Sequence, residues 1–285
     1  MALPPDRPLA IIAGGGSVPL HVAKAAQGAG RRTLVLGIEG EADADFGNLP
    51  HEHFSWGQIG RLERLLSEHG TRDVVLVGGV RVRPDFRLLK LDMGTVKALP
   101  EILSIITSGD NTVLTGVVRF IEARGYSVIG AHQIAADLVA PAGTLAGSPS
   151  SQHLSDAHLA IEAAGRIGLL DAGQAAVAIG GRIVALEGAE GTDAMLARVA
   201  SLREAGRIRF AAPGGALAKC AKPQQDLRVD MPTIGPDTVT HAAAAGLAGI
   251  AVEAGRVMII DRSETIRRAK AAGLFIHAVE LQATP

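Results

Sequence analysis

The chain has 285 residues, of which 47% are hydrophobic and 20% charged, and its formal net charge is −1. That length bounds it to one large or two ordinary domains with a substantial core. The near-neutral charge and 3% aromatic content exclude a basic nucleic-acid binder and an RNA reader built on stacked aromatics.

In chain order, the apolar run Leu9–Ala13 predicts a strand ending in Gly14-Gly15-Gly16, with a helix over 22–27 that stops at Gly28. Thr33–Ile38 is a second strand, 62–69 a short amphipathic helix, and Asp73–Val77 a third strand ending in Gly78-Gly79. After Gly109-Asp110-Asn111, a helix over 112–123 leads to a strand at 126–129. This alternation predicts a parallel sheet with helices on its faces. Ligands of such sheets sit at the carboxyl ends of the strands, where strand order reverses.

Near residue 140 the texture changes, and the small, proline-containing stretch 140–151 reads as a linker. Beyond it, 158–167 is helical, and Ala175–Ile179 and Arg182–Leu186 form a hairpin around Gly180-Gly181. Helices follow over 192–204 and 238–247, then a strand pair at 249–252 and 256–260, and a closing helix over 264–272. The expected organisation is therefore 1–139, a linker at 140–151, and 152–285.

Cys220 is the only cysteine, which excludes a disulfide framework and a cysteine zinc site. It reads as a small buried side chain. The first residues lack a signal-peptide pattern and no 18-residue apolar run occurs, so the expectation is a cytoplasmic protein, at most peripheral to a membrane. The segment 80–90 carries Arg81, Arg83, Arg87 and Lys90 between apolar residues; it reads first as a ligand-binding strand end followed by a loop, and second as a basic stretch that could rest on an anionic bilayer surface. The nine histidines form no recognised pair and read as exposed or structural.

Gly14, Gly15, Gly16 and Ser17 lie between a strand and a helix, where backbone N–H groups can approach a phosphate. Pro19 occupies the third glycine position of a dinucleotide fingerprint and breaks it, while Glu39 ends the second strand where a ribose contact would lie. Gly79 and Arg81 follow another predicted strand, and Asp110 and Asn111 open a helix that could face the same crevice. In 187–193, Thr192 or Asp193 can cap a helix, while Glu187 and Glu190 offer carboxylates for a metal or a base. Asp171-Ala172-Gly173-Gln174 is a weaker polar cluster.

The densest chemistry lies in 219–236. Lys219, Lys222 and Arg228 carry the charge that phosphate esters demand, and Asp226 and Asp230 are hard oxygen ligands of the kind Mg²⁺ prefers. Breaking a phosphoric anhydride needs both halves: a metal to bridge phosphoryl oxygens and cations to hold the groups being separated.

Together these segments resemble the LpxI-type UDP-2,3-diacylglucosamine pyrophosphatases of lipid A synthesis. The resemblance is carried by Gly14-Gly15-Gly16, the 78–81 and 109–111 turns, 170–174, 187–193 and, above all, 222–235. Ala172 and Asn111 depart from the commoner Asp-Val-Gly-Gln and Gly-Asp-Asp of that family, which puts any carboxylate role at position 111 in doubt. The resemblance implies a Rossmann-like N-terminal domain for UDP and a C-terminal α/β domain of uncommon fold, with the lipid product between them. It implies hydrolysis of UDP-2,3-diacylglucosamine to UMP and lipid X, with water attacking the sugar-side phosphorus, dependence on Mg²⁺ or another divalent ion such as Mn²⁺, and a homodimer at the inner membrane surface. On that basis Asp226 is expected to hold the metal, with Glu190 or Asp230. Lys219, Lys222 and Arg228 take phosphate oxygens, and Gln174, Thr192 and Gln225 are substrate contacts. Two other classes stay open: a nucleotide-sugar or NAD-dependent oxidoreductase, and a non-catalytic lipid-binding protein.

Overall fold

A computed structural model describes residues 6–80, 91–106 and 110–281. The chain divides into two compact units. The first comprises 1–136 together with Arg228–Asp230, and the second comprises the rest.

In the first unit the described elements are β1 (Leu9–Ala13), α1 (Val18–Gly28), β2 (Thr33–Ile38), β3 (His51–Phe54), α2 (Ile59–Glu68), β4 (Asp73–Val77), α3 (Met93–Ile106), α4 (Asp110–Glu122), β5 (Ser127–Val128) and α5 (Ala131–Ile134). The five strands pair in parallel in the order β3-β2-β1-β4-β5. Every residue of β1 and β2 is buried, which is why both read as continuous apolar runs rather than as alternations. One core packs Ala10, Ile12, Leu36 and Val74 against Leu62, Leu66, Val118 and Ile121. Val229 of the returning segment packs against this same core. Strand order reverses between β1 and β4, which sets the Rossmann-like switch point at their carboxyl ends. Pro19 stands in the first turn of α1, where its missing N–H costs nothing.

Two elements carry no clear sequence signal. β3 is His-Glu-His-Phe with three exposed residues, and it is a strand because it borders β2. α3 begins at Asp92, whose carboxylate accepts from Thr95 N–H at 2.8 Å and also from Arg61 N–H at 2.9 Å and Gly60 N–H at 3.2 Å. One side chain thus caps α3 and the start of α2.

The second unit contains β6 (Gly143–Ala146), α6 (Ser151–Leu169), β7 (Ala175–Ile179), β8 (Arg182–Leu186), α7 (Gly191–Glu204), β9 (Ala216–Lys219), β10 (Thr233–Ile234), α8 (Pro236–Ala244), β11 (Gly249–Glu253), β12 (Met258–Ile259), α9 (Arg262–Ala271) and β13 (Phe275–Val279). Its main sheet runs β6-β13-β11-β9-β7-β8, with β9, β11 and β13 parallel and the outer strands antiparallel to their neighbours. Alternate residues divide between two cores. Val177, Ile179, Leu217, Ile250 and Ile276 join Leu196 of α7 and Val239 of α8. Ala176, Ala178, Ala216, Ala218 and Ala251 face Ala157, Ala160 and Ala164 of α6. Alanine on both surfaces lets that helix lie close to the sheet. Asp156 of α6 is only 1% exposed and accepts from Gly180 N–H at 3.0 Å and Gly181 N–H at 2.7 Å, clasping the hairpin turn.

Two sequence expectations need correction. The stretch 140–151 is part of the second unit rather than a linker. Ala140 exchanges backbone hydrogen bonds with Val257 and Gly255, and 143–146 is the edge strand β6. Residues 249–252 and 256–260 do not pair with each other. The fully buried β11 needs neighbours on both sides and takes β9 and β13, while Gly255, at φ +75°, turns the chain so that β12 pairs with β10 in a separate small sheet.

Candidate active site

In the first unit, Gly15 and Gly79 exchange backbone hydrogen bonds of 2.8 and 2.9 Å and tie the ends of β1 and β4 together. A Cβ on Gly14 would sit 2.4 Å from the Gly79 carbonyl oxygen, so close backbone approach dictates that glycine. Gly16, at φ +94°, gives its N–H to Asp43 Oδ1 at 2.7 Å. A carboxylate therefore already takes the donor that sequence reasoning reserved for phosphate. Ser17 stands at the N-cap of α1 without a side-chain cap bond, and Glu39 is exposed beyond β2. Asp110 and Asn111 open α4, but their side chains, like Gly109, Arg81 and the rest of the 81–90 segment, lie outside the described residues.

In the second unit the sequence clusters converge. β8 ends beside Glu187, β9 ends at Lys219 and β11 at Glu253. The 171–174 turn, with Asp171 at φ +55°, lies against the ends of β8 and β9. Lys222 Nζ donates to Asp171 Oδ1 at 2.7 Å, and Lys222 N–H donates to Gln225 Oε1 at 3.0 Å. Gln225 Nε2 in turn reaches Gln174 Oε1 at 3.4 Å. Gln174 N–H donates to Glu187 Oε2 at 2.8 Å, and Thr192 Oγ1 donates to Glu187 Oε1 at 2.6 Å. Glu253, 5% exposed, accepts from Ala221 N–H at 3.0 Å and from Arg256 at 3.2 Å. Gln174, Thr192, Lys222 and Gln225 thus meet in one network. Lys219 and Asp226 are half-buried in the same segment.

Other expected members have partners of their own. Glu190 is exposed, and its carboxylate takes Arg198 at 2.9 Å and Gly188 N–H at 3.1 Å. Its own backbone N–H, and then Arg198, hold that carboxyl below the usual carboxylate range. Arg228 and Asp230 belong to the first unit, where Arg228 reaches Glu122 at 2.8 Å. Among the described residues no three His, Cys, Asp or Glu side chains gather into a metal cluster. A hard cation such as Mg²⁺ is commonly held by one or two carboxylates plus phosphate oxygens rather than by an all-protein cage. Cys220 is buried, and burial, reinforced by Glu253, pushes its thiol up to about 12, so it is no nucleophile at neutral pH.

Sequence reasoning named Asp171 only as part of a polar cluster, offered Glu187 as a metal or base carboxylate rather than as a buried acceptor, and missed Asp43 and Glu253. The one signal for Glu253 was a charge directly ending an apolar strand.

Residues 8–138 match the family described as LpxI N-terminal domain, and residues 141–277 match LpxI C-terminal domain. Over 280 residues the chain is 41% identical to the UDP-2,3-diacylglucosamine pyrophosphatase LpxI of Caulobacter vibrioides, covering 98% of this chain and 100% of that protein. With both domains matched and the relative aligned end to end, the chain belongs to the LpxI family.

Proposed function

We propose that this protein hydrolyses the pyrophosphate of UDP-2,3-diacylglucosamine to UMP and 2,3-diacylglucosamine 1-phosphate, lipid X. The full-length identity to a pyrophosphatase of that name carries the reading. In the reaction a water oxygen bonds to the sugar-side phosphorus, the bridging P–O bond breaks with its oxygen leaving on UMP, and water loses a proton. Lys222 is suited to hold phosphate oxygens. Its ammonium is fixed by Asp171 and its backbone by Gln225, so its charge is already placed when the anhydride arrives. Lys219 adds positive charge for the separating groups. Asp226 would hold Mg²⁺ or Mn²⁺ together with the substrate's phosphate oxygens, and such an ion would supply neutralisation of phosphoryl charge. Glu190 drops out of the ligand set because Arg198 and Gly188 already take its carboxylate. The test is incubation with UDP-2,3-diacylglucosamine, with and without EDTA, and identification of products. UMP and lipid X are expected only without chelator. Turnover unchanged after exhaustive chelation would remove the metal from the reading.

The nucleotide falls to the first unit and the chemistry to the second. An oxidoreductase is disfavoured by the broken fingerprint at Pro19. The lipid substrate puts the enzyme at a membrane surface as a peripheral protein. No helix among the described residues is long and apolar enough to cross a membrane. Leu91 and, on α3, Met93, Val96 and Leu103 are exposed, and they directly follow the basic 81–90 segment in sequence. Co-sedimentation with anionic vesicles should exceed that with neutral ones, and equal binding would count against this placement.

A further inference from the structure

We propose that Glu187 is a positioning residue whose buried carboxylate fixes the 171–174 turn and, through it, the backbone and ammonium of Lys222. The inference rests on the reading of Lys222 and Asp226 as catalytic.

Glu187 is 8% exposed. Its carboxylate oxygens take two neutral donors, the Gln174 amide and the Thr192 hydroxyl. Its own N–H donates to Ala175 O at 2.9 Å. The turn also lies against its backbone: a Cβ on Gly173 would sit 2.3 Å from Glu187 O, so glycine alone permits the approach. From the other side, the turn carries the reactive segment by three contacts. Gln174 O accepts from Cys220 N–H at 3.0 Å, Gln174 Oε1 from Gln225 Nε2 at 3.4 Å, and Asp171 Oδ1 from Lys222 Nζ at 2.7 Å. Gln225 closes the loop by accepting Lys222 N–H at 3.0 Å. Moving the turn therefore moves both ends of Lys222. Burying a carboxylate among neutral donors costs free energy that its hydrogen bonds must offset. What that cost secures is geometry, and placement errors of about 1 Å can cost two orders of magnitude in rate.

Two conservative substitutions in the full-length protein separate position from charge. Glu187→Gln keeps the length, donating to Thr192 and accepting from Gln174. Glu187→Asp keeps the charge but withdraws the oxygens by one methylene. Kinetics are paired with hydrogen–deuterium exchange at the Cys220 and Lys222 amides. Glu187→Asp should lower kcat about tenfold or more and speed exchange at both amides, while Glu187→Gln stays within about threefold of wild type, with the pH profile unchanged. The reverse order of activities, or unaltered exchange in Glu187→Asp, overturns the proposal. Asp226→Ala is measured alongside. If it retains turnover, the catalytic reading beneath the proposal falls, and the exchange data keep the two failures apart.

Discussion

Lys222 and Asp226 stand four residues apart but are suited to different tasks. Lys222 is held by Asp171 and Gln225 before substrate arrives, so in the proposed reaction a contact from it to phosphate would serve ground state and transition state alike. Asp226→Ala should remove stabilisation of charge that develops during the reaction, lowering kcat about 10²-fold or more with substrate binding largely kept. Lys222→Ala should also raise KM. Steady-state kinetics on both variants decide the matter. An Asp226→Ala enzyme with more than about half of wild-type kcat would make Asp226 a surface residue. The sequence singled out Lys222 and Asp226 because charge crowded between prolines is uncommon. It could not show Glu187 and Glu253 as buried acceptors, because that role depends on which amides the fold turns toward a carboxylate.

At the scale of elements, strands buried on both faces announced themselves, as β1, β2, β4 and β7 did. Short or exposed strands did not, because β3, β6 and β10 are defined by the strand they border rather than by their own residues. α3 was equally silent, and its start depends on Asp92. Burial works against ionising that carboxyl, yet hydrogen bonds from Thr95, Arg61 and Gly60 outweigh it and hold the group below the usual carboxylate range. Asp92→Ala should cost about 1–2 kcal/mol from lost capping, read as a lower denaturant midpoint. The sign with pH follows from the depressed folded value. Asp92's contribution is present above the unfolded pKa of about 3.9 and is lost as pH falls through the folded one. Wild type and Asp92→Ala should therefore converge in stability below about pH 4. A gap that persists undiminished into stronger acid would assign the loss to packing instead.

On the scale of the whole molecule, alternating strands and helices read as a parallel sheet made the first unit's architecture legible. The second unit's strand order was not, since β6, β9 and β13 enter its sheet from distant parts of the chain. The two units carry different tasks in the proposed reaction, which makes those tasks separable by substitution. At the switch point, Gly14 leaves no room for a side chain against Gly79, and Asp43 holds Gly16 N–H. A ribose hydroxyl can donate to that carboxylate where a phosphate would have to displace it. Gly14→Ala forces the ends of β1 and β4 to shift, a change worth about 1–3 kcal/mol of stability. In a variant that stays folded by circular dichroism, UMP binding by calorimetric titration should weaken about tenfold or more, which is about 1.4 kcal/mol. The kcat at saturating substrate should fall much less, because the groups around Lys222 are untouched. Asp226→Ala should show the opposite pattern, with UMP affinity kept and turnover lost. A folded Gly14→Ala protein with wild-type UMP affinity would take the nucleotide away from the first unit's glycine turns, whatever happened to its kcat.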